Sequence, residues 1–415
     1  MNQSRSLTSV LGFIIFAGLI LGLVWGNYNF TKKDIGGGGF FVQWIGLRSL
    51  VTDGNSPYGD IVSSQILESA KIESNFSSVN SLRYTAPLFS GVVVFPFALI
   101  KNSTLAHAFW LAAQLVAIFL ILLIGLKLTA WKPRWYIFLF FSLLTILSYH
   151  VMLPWLNGGM SIWVSFFLVL AILAICNNWY EIGGVLLAFA SIEPQMIILV
   201  LVLILLWAGT HRKMLLIFWF FITLIFLSII GLFLVPDWIT QYIRIMYNFT
   251  ANFPPGSLGM LFKDLWPGLG KQLGWLISGV LVVILIIEWW LTMRKDFRHF
   301  FWTVCLTLVI SQWIGIPTIP GHLTGLLLPL ILVAAMLTER WPRGGQWVAV
   351  SIGVVLFAWE WALFFMNISS TDPGNQMNLI VPLPLVILIS LYWVRWWVIK
   401  PKRLLIEEMR LGETY

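Results

Sequence analysis

Charge is what this chain has least of. Aspartate, glutamate, lysine and arginine make up 10% of its 415 residues, whereas hydrophobic types make up 59%. Soluble domains carry about 25% charged residues, so this shortage excludes a water-soluble globular protein. Cysteine is almost missing as well. Cys176 and Cys305 both stand in apolar surroundings that suit packing residues, and they leave the redox compartment unspecified. The five histidines show no His-x-x-x-His spacing, so no protein-held zinc is expected. No Gly-x-Ser-x-Gly elbow occurs, which removes the commonest hydrolase signature. There is no low-complexity tract and no clear internal repeat, so an inverted-repeat transporter has no support.

What is present is apolar sequence in long runs. A crossing needs roughly 20 apolar residues at 1.5 Å rise each. Thirteen segments qualify as candidates, from Leu7–Trp25 and Tyr84–Ile100 through Ile182–Ile192 and Met196–Trp207 to Leu379–Ile399. Leu7–Trp25 is long and lacks a small-residue cleavage site, so it reads as a retained helix, not a cleaved signal. Many of the 24 tryptophans, such as Trp131, Trp135, Trp289, Trp341 and Trp396, sit near segment ends, where interfacial anchors belong. The expected fold is an all-α polytopic bundle of about 12–13 transmembrane segments, a single integral-membrane domain.

The net charge of +8 does not indicate nucleic acid, because the basic residues fall in short inter-helix loops. They cluster at Lys127/Lys132/Arg134, His211-Arg212-Lys213, Arg294-Lys295/Arg298, Arg340/Arg343 and Lys400/Lys402/Arg403. All five fall on one side if Tyr84–Ile100, short and interrupted by Pro87 and Pro96, is re-entrant or peripheral. The positive-inside rule then makes that side cytoplasmic, with both termini, and a bacterial plasma membrane is expected. The outer face collects 27–83, 236–274 and the breaks at 193–195 and 317–322. Chemistry in water belongs there.

The first outer loop holds Lys33, Asp34 and Arg83. Asp34 suits a general base at the membrane surface, or a solvated loop aspartate. Arg83 could hold a phosphate by its fork of donors, or merely reach the interface. Asp53 and Asp60 flank the Pro57-Tyr58 turn and read as turn residues. Gly36 to Gly39 lack the flanking strand and Lys-Ser/Thr of a P-loop, and a flexible joint is expected. Glu193, beside a proline between two apolar segments, is the strongest intramembrane anomaly and a candidate for function. Glu360 raises the same question with less context, whereas Glu288 is expected to reach water at the cytoplasmic end. His322 closes the 317–322 break, where it could bond an anionic or sugar group or serve as a cap.

The run from Gly36 to Leu50, with Gly39-Phe40-Phe41-Val42-Gln43-Trp44 at its centre and closing on Gly54-Asn55-Ser56-Pro57-Tyr58, resembles the first outer loop of glycosyltransferase family 87. Arg83-Tyr84-Thr85-Ala86-Pro87, Asn157-Gly158-Gly159, Glu193-Pro194-Gln195 and the Pro317–Pro329 region are similar to later landmarks of that family. Each motif is short, and together they are spread over most of the chain. Three positions depart from the pattern. Gly39 stands where the family has Asp, Glu193 where it has Lys, and Gly159 where it has Gln.

The resemblance implies a GT-C fold. It also implies inverting transfer of a hexose, mannose first, from a polyprenyl-phosphate donor to a lipid or glycan acceptor on the outer face. Asp34 is then the expected catalytic base, and Lys33, Arg83, Glu193 and His322 the expected substrate- and phosphate-binding residues. No cofactor is required beyond the lipid-linked sugar, although some GT-C enzymes use a divalent cation. A transporter or flippase of lipid-linked sugars, and a non-catalytic relative, stand as the alternatives.

Overall fold

The computed structural model describes residues 18–32, 37–72, 83–252, 255–257, 262, 266, 268–317, 320–341, 343–367 and 381–399. The chain is an all-α multi-pass membrane protein. Helix α1 (18–31) leads to α2 (Gly38–Asp53), α3 (Asp60–Ile72), a 3-10 turn Leu88–Ser90 and α4 (Gly91–Ala98). Then come α5 (Ser103–Thr129), α6 (Trp135–Leu147), α7 (Tyr149–Asn157), α8 (Ser161–Cys176), α9 (Tyr180–Ala190) and α10 (Pro194–Thr210). The rest comprises α11 (Met214–Leu234), α12 (Trp238–Asn252), α13 (Gly270–Thr292), α14 (Phe297–Ile310), α15 (Leu327–Arg340), α16 (Gly345–Asn367) and α17 (Pro382–Ile399).

Six of the described helical stretches are long and apolar enough to cross a bilayer, seven if α6 and α7, bent 56° at Ser148, count as one broken span. The longest, α5, has 27 residues and so reaches about 40 Å. It starts cleanly because the Asn102 side chain accepts the Leu105 N–H at 2.9 Å. It stops at Ala130, whose left-handed backbone turns the chain away. Helix α14 is buried on every side from His299 to Ile310 and, with α5, α8 and α15, forms the centre. Helices α11, α13 and α16 surround that centre and expose large apolar side chains such as Phe233, Ile286 and Trp359. In lipid that exposure carries no penalty, and helices associate through packing instead.

Close packing of this kind joins α9 to α11. A Cβ on Gly184 would stand 2.5 Å from the Leu216 carbonyl and 2.8 Å from the Phe220 nitrogen. Only glycine lets the two backbones meet.

Contacts sort the connections onto two ends of the bundle. The Arg298 guanidinium lies 3.5 Å from Glu339, Arg340 sits over the Trp397 ring, and Lys213 over the Tyr180 ring. Thr210 bonds Met293, and Lys132, Arg298, Glu339 and Gln346 line a common cavity of about 650 Å³. Four of the five basic clusters therefore share one end, and Lys400/Lys402/Arg403 lie outside the described residues. The segment Tyr84–Ile100 forms no continuous helix; α4 has eight residues with Pro96 inside, about 12 Å long. It is braced by α2, whose Trp44 and Arg48 donate to the carbonyls of Phe97 and Ala98.

At the opposite end the stretch 236–274 is more than a loop. It contains the helix α12 and the strand β1 (Pro255–Ser257), which pairs antiparallel with β2 (Ile314–Pro317). Ser56 donates to Gln241, so the first loop and α12 cover this end together.

Replacing Gly184 by alanine should separate α9 from α11 and cost about 1–3 kcal/mol by overpacking. Gly279 meets nothing within 4 Å, so Gly279→Ala should be neutral or stabilising. Thermal unfolding of the detergent-purified variants distinguishes the two.

Candidate functional site

Four stretches far apart in sequence meet at the end opposite the basic loops. The first is the start of α2. The Gly39 N–H donates to Asn157 Oδ1 at 3.0 Å, and a Cβ on Gly39 would lie 2.9 Å from the Asn157 carbonyl. Gly158 takes a left-handed backbone, φ 68°, with its α-carbon against Phe40. Trp110 and Gln114 of α5 donate to the Gly158 and Gly159 carbonyls at 2.9 and 2.7 Å. Gly37, also at positive φ, lies against the His107 ring. The described glycines thus form a fitted helix start, not the flexible joint expected of them. The position where the resembling family has Asp is closed here to any side chain.

Two residues beyond that turn, Ser161 opens α8 and donates its hydroxyl to Glu193 Oε2 at 2.7 Å. Glu193 lies in the break between α9 and α10, outside both helices. Pro194 occupies the first turn of α10, where its missing N–H is not needed. The Glu193 side chain does not cap its own helix but turns toward the N-terminus of α8, whose dipole favours a carboxylate.

The third partner, His322, is buried. Its Nε2 lies 3.8 Å from Glu193 Oε2, too far for a hydrogen bond, and has no other partner. Thr324 fixes the turn that carries His322, through contacts with Ser165 at 2.8 Å and the Gly321 carbonyl at 2.9 Å. A Cβ on Gly321 would meet Ser161 Oγ at 2.8 Å, so glycine permits this approach.

Burial pushes the Glu193 carboxyl up to about 7, with the Ser161 hydroxyl pulling the other way. The side chain stays 16% exposed. A carboxyl poised near neutrality, beside an imidazole nitrogen without a partner, can take or give a proton. Glu193 and His322 could also hold a cation, but among the described residues no group of three or more His, Cys, Asp or Glu assembles for one.

Of the residues singled out from sequence, Glu193 and His322 come together. Arg83 is exposed, and among the described residues no contact joins it to them. Asp34 and Lys33 lie outside the described residues. Sequence reasoning missed Ser161, Ser165 and Thr324. A serine directly after Gly158-Gly159 and ahead of an apolar run was the available signal for Ser161. It also misplaced Glu288, which is buried and bonded to Arg395 at 2.9 Å with His299 at 3.8 Å, not in water. Two wide cavities lie away from Glu193. One is the cavity at the basic end, and the other, about 520 Å³, opens between α16 and α17.

Comparisons with family models, with curated proteins and with solved structures returned no match.

Two outcomes follow from this geometry. Gly39→Asp should lower thermal stability by about 1–3 kcal/mol through overpacking, whereas Gly159→Ala, with open space around it, should not. The second concerns pH. A carboxyl raised in the fold destabilises only where the unfolded chain would be ionised. Glu193 therefore costs nothing below its ordinary value of 4.5, and the cost grows as pH rises to about 7 and stays constant above. It reaches at most about 3 kcal/mol. Glu193→Gln should therefore raise Tm at pH 8 relative to wild type and leave it unchanged at pH 4.5, as melting at both pH values would reveal.

Proposed function

We propose that the chain is a membrane-embedded hexosyltransferase of the GT-C type. It moves a hexose, mannose in the first instance, from a polyprenyl-phosphate donor to a lipid or glycan acceptor. The reaction takes place at the end of the bundle away from the basic loops. In a bacterial plasma membrane with both termini cytoplasmic, that end is the outer face. The observation that carries this reading is the meeting of Glu193, His322 and Ser161 beside the Gly39–Asn157 junction. Gly39, Asn157, Glu193 and His322, each within a family-like stretch, support the reading by lying close together.

The chemistry needs one base and a stabilised leaving group. The acceptor hydroxyl attacks the anomeric carbon as its proton passes to a carboxylate. The bond from that carbon to the phosphate oxygen breaks, and the lipid phosphate leaves with the electron pair. Glu193, held near neutrality and backed by His322, is the carboxylate in position to take the proton. Asp34, ahead of the described Gly37, is the second candidate base, with Lys33 and Arg83 as phosphate partners. A departing phosphate needs no general acid, so a base with electrostatic support suffices.

A second reading, lipid-linked-sugar transport, has its own observation. Buried acid–histidine pairs recur at His150–Glu360 and at Glu288–His299, so titratable groups are spread through the bundle. Transport across a membrane uses such groups.

Purified protein incubated with radiolabelled polyprenyl-phosphate mannose and a membrane-lipid acceptor extract separates the readings. Glu193→Gln should reduce transfer by about 10²–10⁴-fold, the range of a general base, with folding intact. Undiminished transfer in Glu193→Gln and loss in Asp34→Asn would move the base to Asp34. Movement of the lipid-linked sugar across liposomes with no transfer at all would favour the transporter.

A further inference from the structure

The break between α6 and α7 leaves backbone groups without helical partners inside an apolar bundle, where each must be satisfied by protein. One residue of α16 does this directly: Trp361 Nε1 donates to the Leu147 carbonyl at 3.0 Å. The adjacent Glu360 carboxylate faces the amide end of the nine-residue α7, at Tyr149 and His150. That arrangement does not use up the polar atoms present. Glu360 Oε2 and both ring nitrogens of His150 are buried and have no partner. Glu360 is 7% exposed and His150 2%, with His150 Nε2 3.9 Å from Glu360 Oε1.

His150 and Glu360 are among the residues that line the cavity of about 520 Å³ between α16 and α17. Its volume falls in the range of small-ligand sites, about 300–1,000 Å³. Apart from His150, Glu360 and Ser351, its walls are apolar. Its outer lips are Val355, Trp359 and Leu385, each about half exposed on the lipid-facing side. Among the described residues, no lysine or arginine lines it or the small void behind His150 and Glu360.

We propose that this cleft binds a single-chain membrane lipid whose head is a free hydroxyl, the chain lying between α16 and α17 and the hydroxyl seated between His150 and Glu360. The polar atoms define the head. A hydroxyl donates once and accepts from a second partner, so it can donate to Glu360 Oε2 and accept an imidazole N–H. A phosphate or carboxylate head would face the Glu360 carboxyl with no cation to offset it. A wholly apolar chain would leave the three polar atoms unsatisfied. The site is independent of the transferase reading and stands whether or not Glu193 is catalytic.

The test uses hexadecanol carrying a diazirine near its tail, photolysed on the full-length protein in nanodiscs and mapped by mass spectrometry. Label should concentrate on α16 and α17 around Val355, Trp359 and Leu385. Unlabelled hexadecanol should compete at least tenfold better than hexadecane or hexadecyl phosphate. Val386→Trp, which fills the cleft from α17 without touching the polar pair, should abolish the label. His150→Phe should remove the preference for the alcohol over the hydrocarbon, about tenfold for one lost hydrogen bond. Label spread evenly over the lipid-facing helices, or hexadecane competing as well as hexadecanol, would overturn the proposal. So would a cleft cross-linked to this chain's own 368–380 segment and closed to the probe.

Discussion

Inside a bilayer no water satisfies a backbone group, so every helix break must be answered by a side chain from elsewhere. This bundle depends on that constraint. At Ser148 the answer comes from Trp361 of α16. At the start of α7's successor, the turn 158–159 is answered by Trp110 and Gln114 of α5. The breaks are thus fixed points, each tying a local interruption to a distant helix. Glu193 differs in kind. It sits at a break, yet its carboxylate serves Ser161 and faces His322 instead of capping its own helix.

The same constraint explains why polar residues gather as they do. Burying a carboxylate is tolerable only with donors close by. Glu193 has a serine hydroxyl and a helix start, Glu360 faces the amide end of α7, and Glu288 has an arginine. What differs is how much capacity remains. Glu288 is bonded by Arg395 and approached by His299, a pattern that locks α13, α14 and α17 together. Glu193 and Glu360 each stand beside a histidine nitrogen with no partner. Leu323, next in the chain to His322, lines the small void behind His150 and Glu360, so these two underused places adjoin.

Much of the architecture was legible in the residues. Scarce charge and long apolar runs imposed a helical membrane bundle, and the basic clusters foretold a common end because short loops return helices to it. Pro194 and Pro320 marked real interruptions. What stayed hidden was tertiary. Nothing local to Gly39 says that the Asn157 carbonyl lies where a Cβ would go, and nothing local to Glu288 announces Arg395, 107 residues away. Ser161 and Thr324 escaped notice because a hydroxyl in an apolar helix more often bonds its own backbone. Thr324 does bond the Gly321 carbonyl behind it, whereas the Ser161 hydroxyl bonds the distant Glu193 carboxylate.

The account rests on Glu193 and His322 as the place where substrate meets protein. An electron cryomicroscopy map of the full chain in nanodiscs, with a non-cleavable polyprenyl-phosphonate sugar bound, tests this most directly. Sugar density against Glu193 and His322, beside the Gly39–Asn157 junction, is the predicted result. Sugar density at the basic end, or anywhere beyond reach of the Glu193 carboxyl, would contradict it.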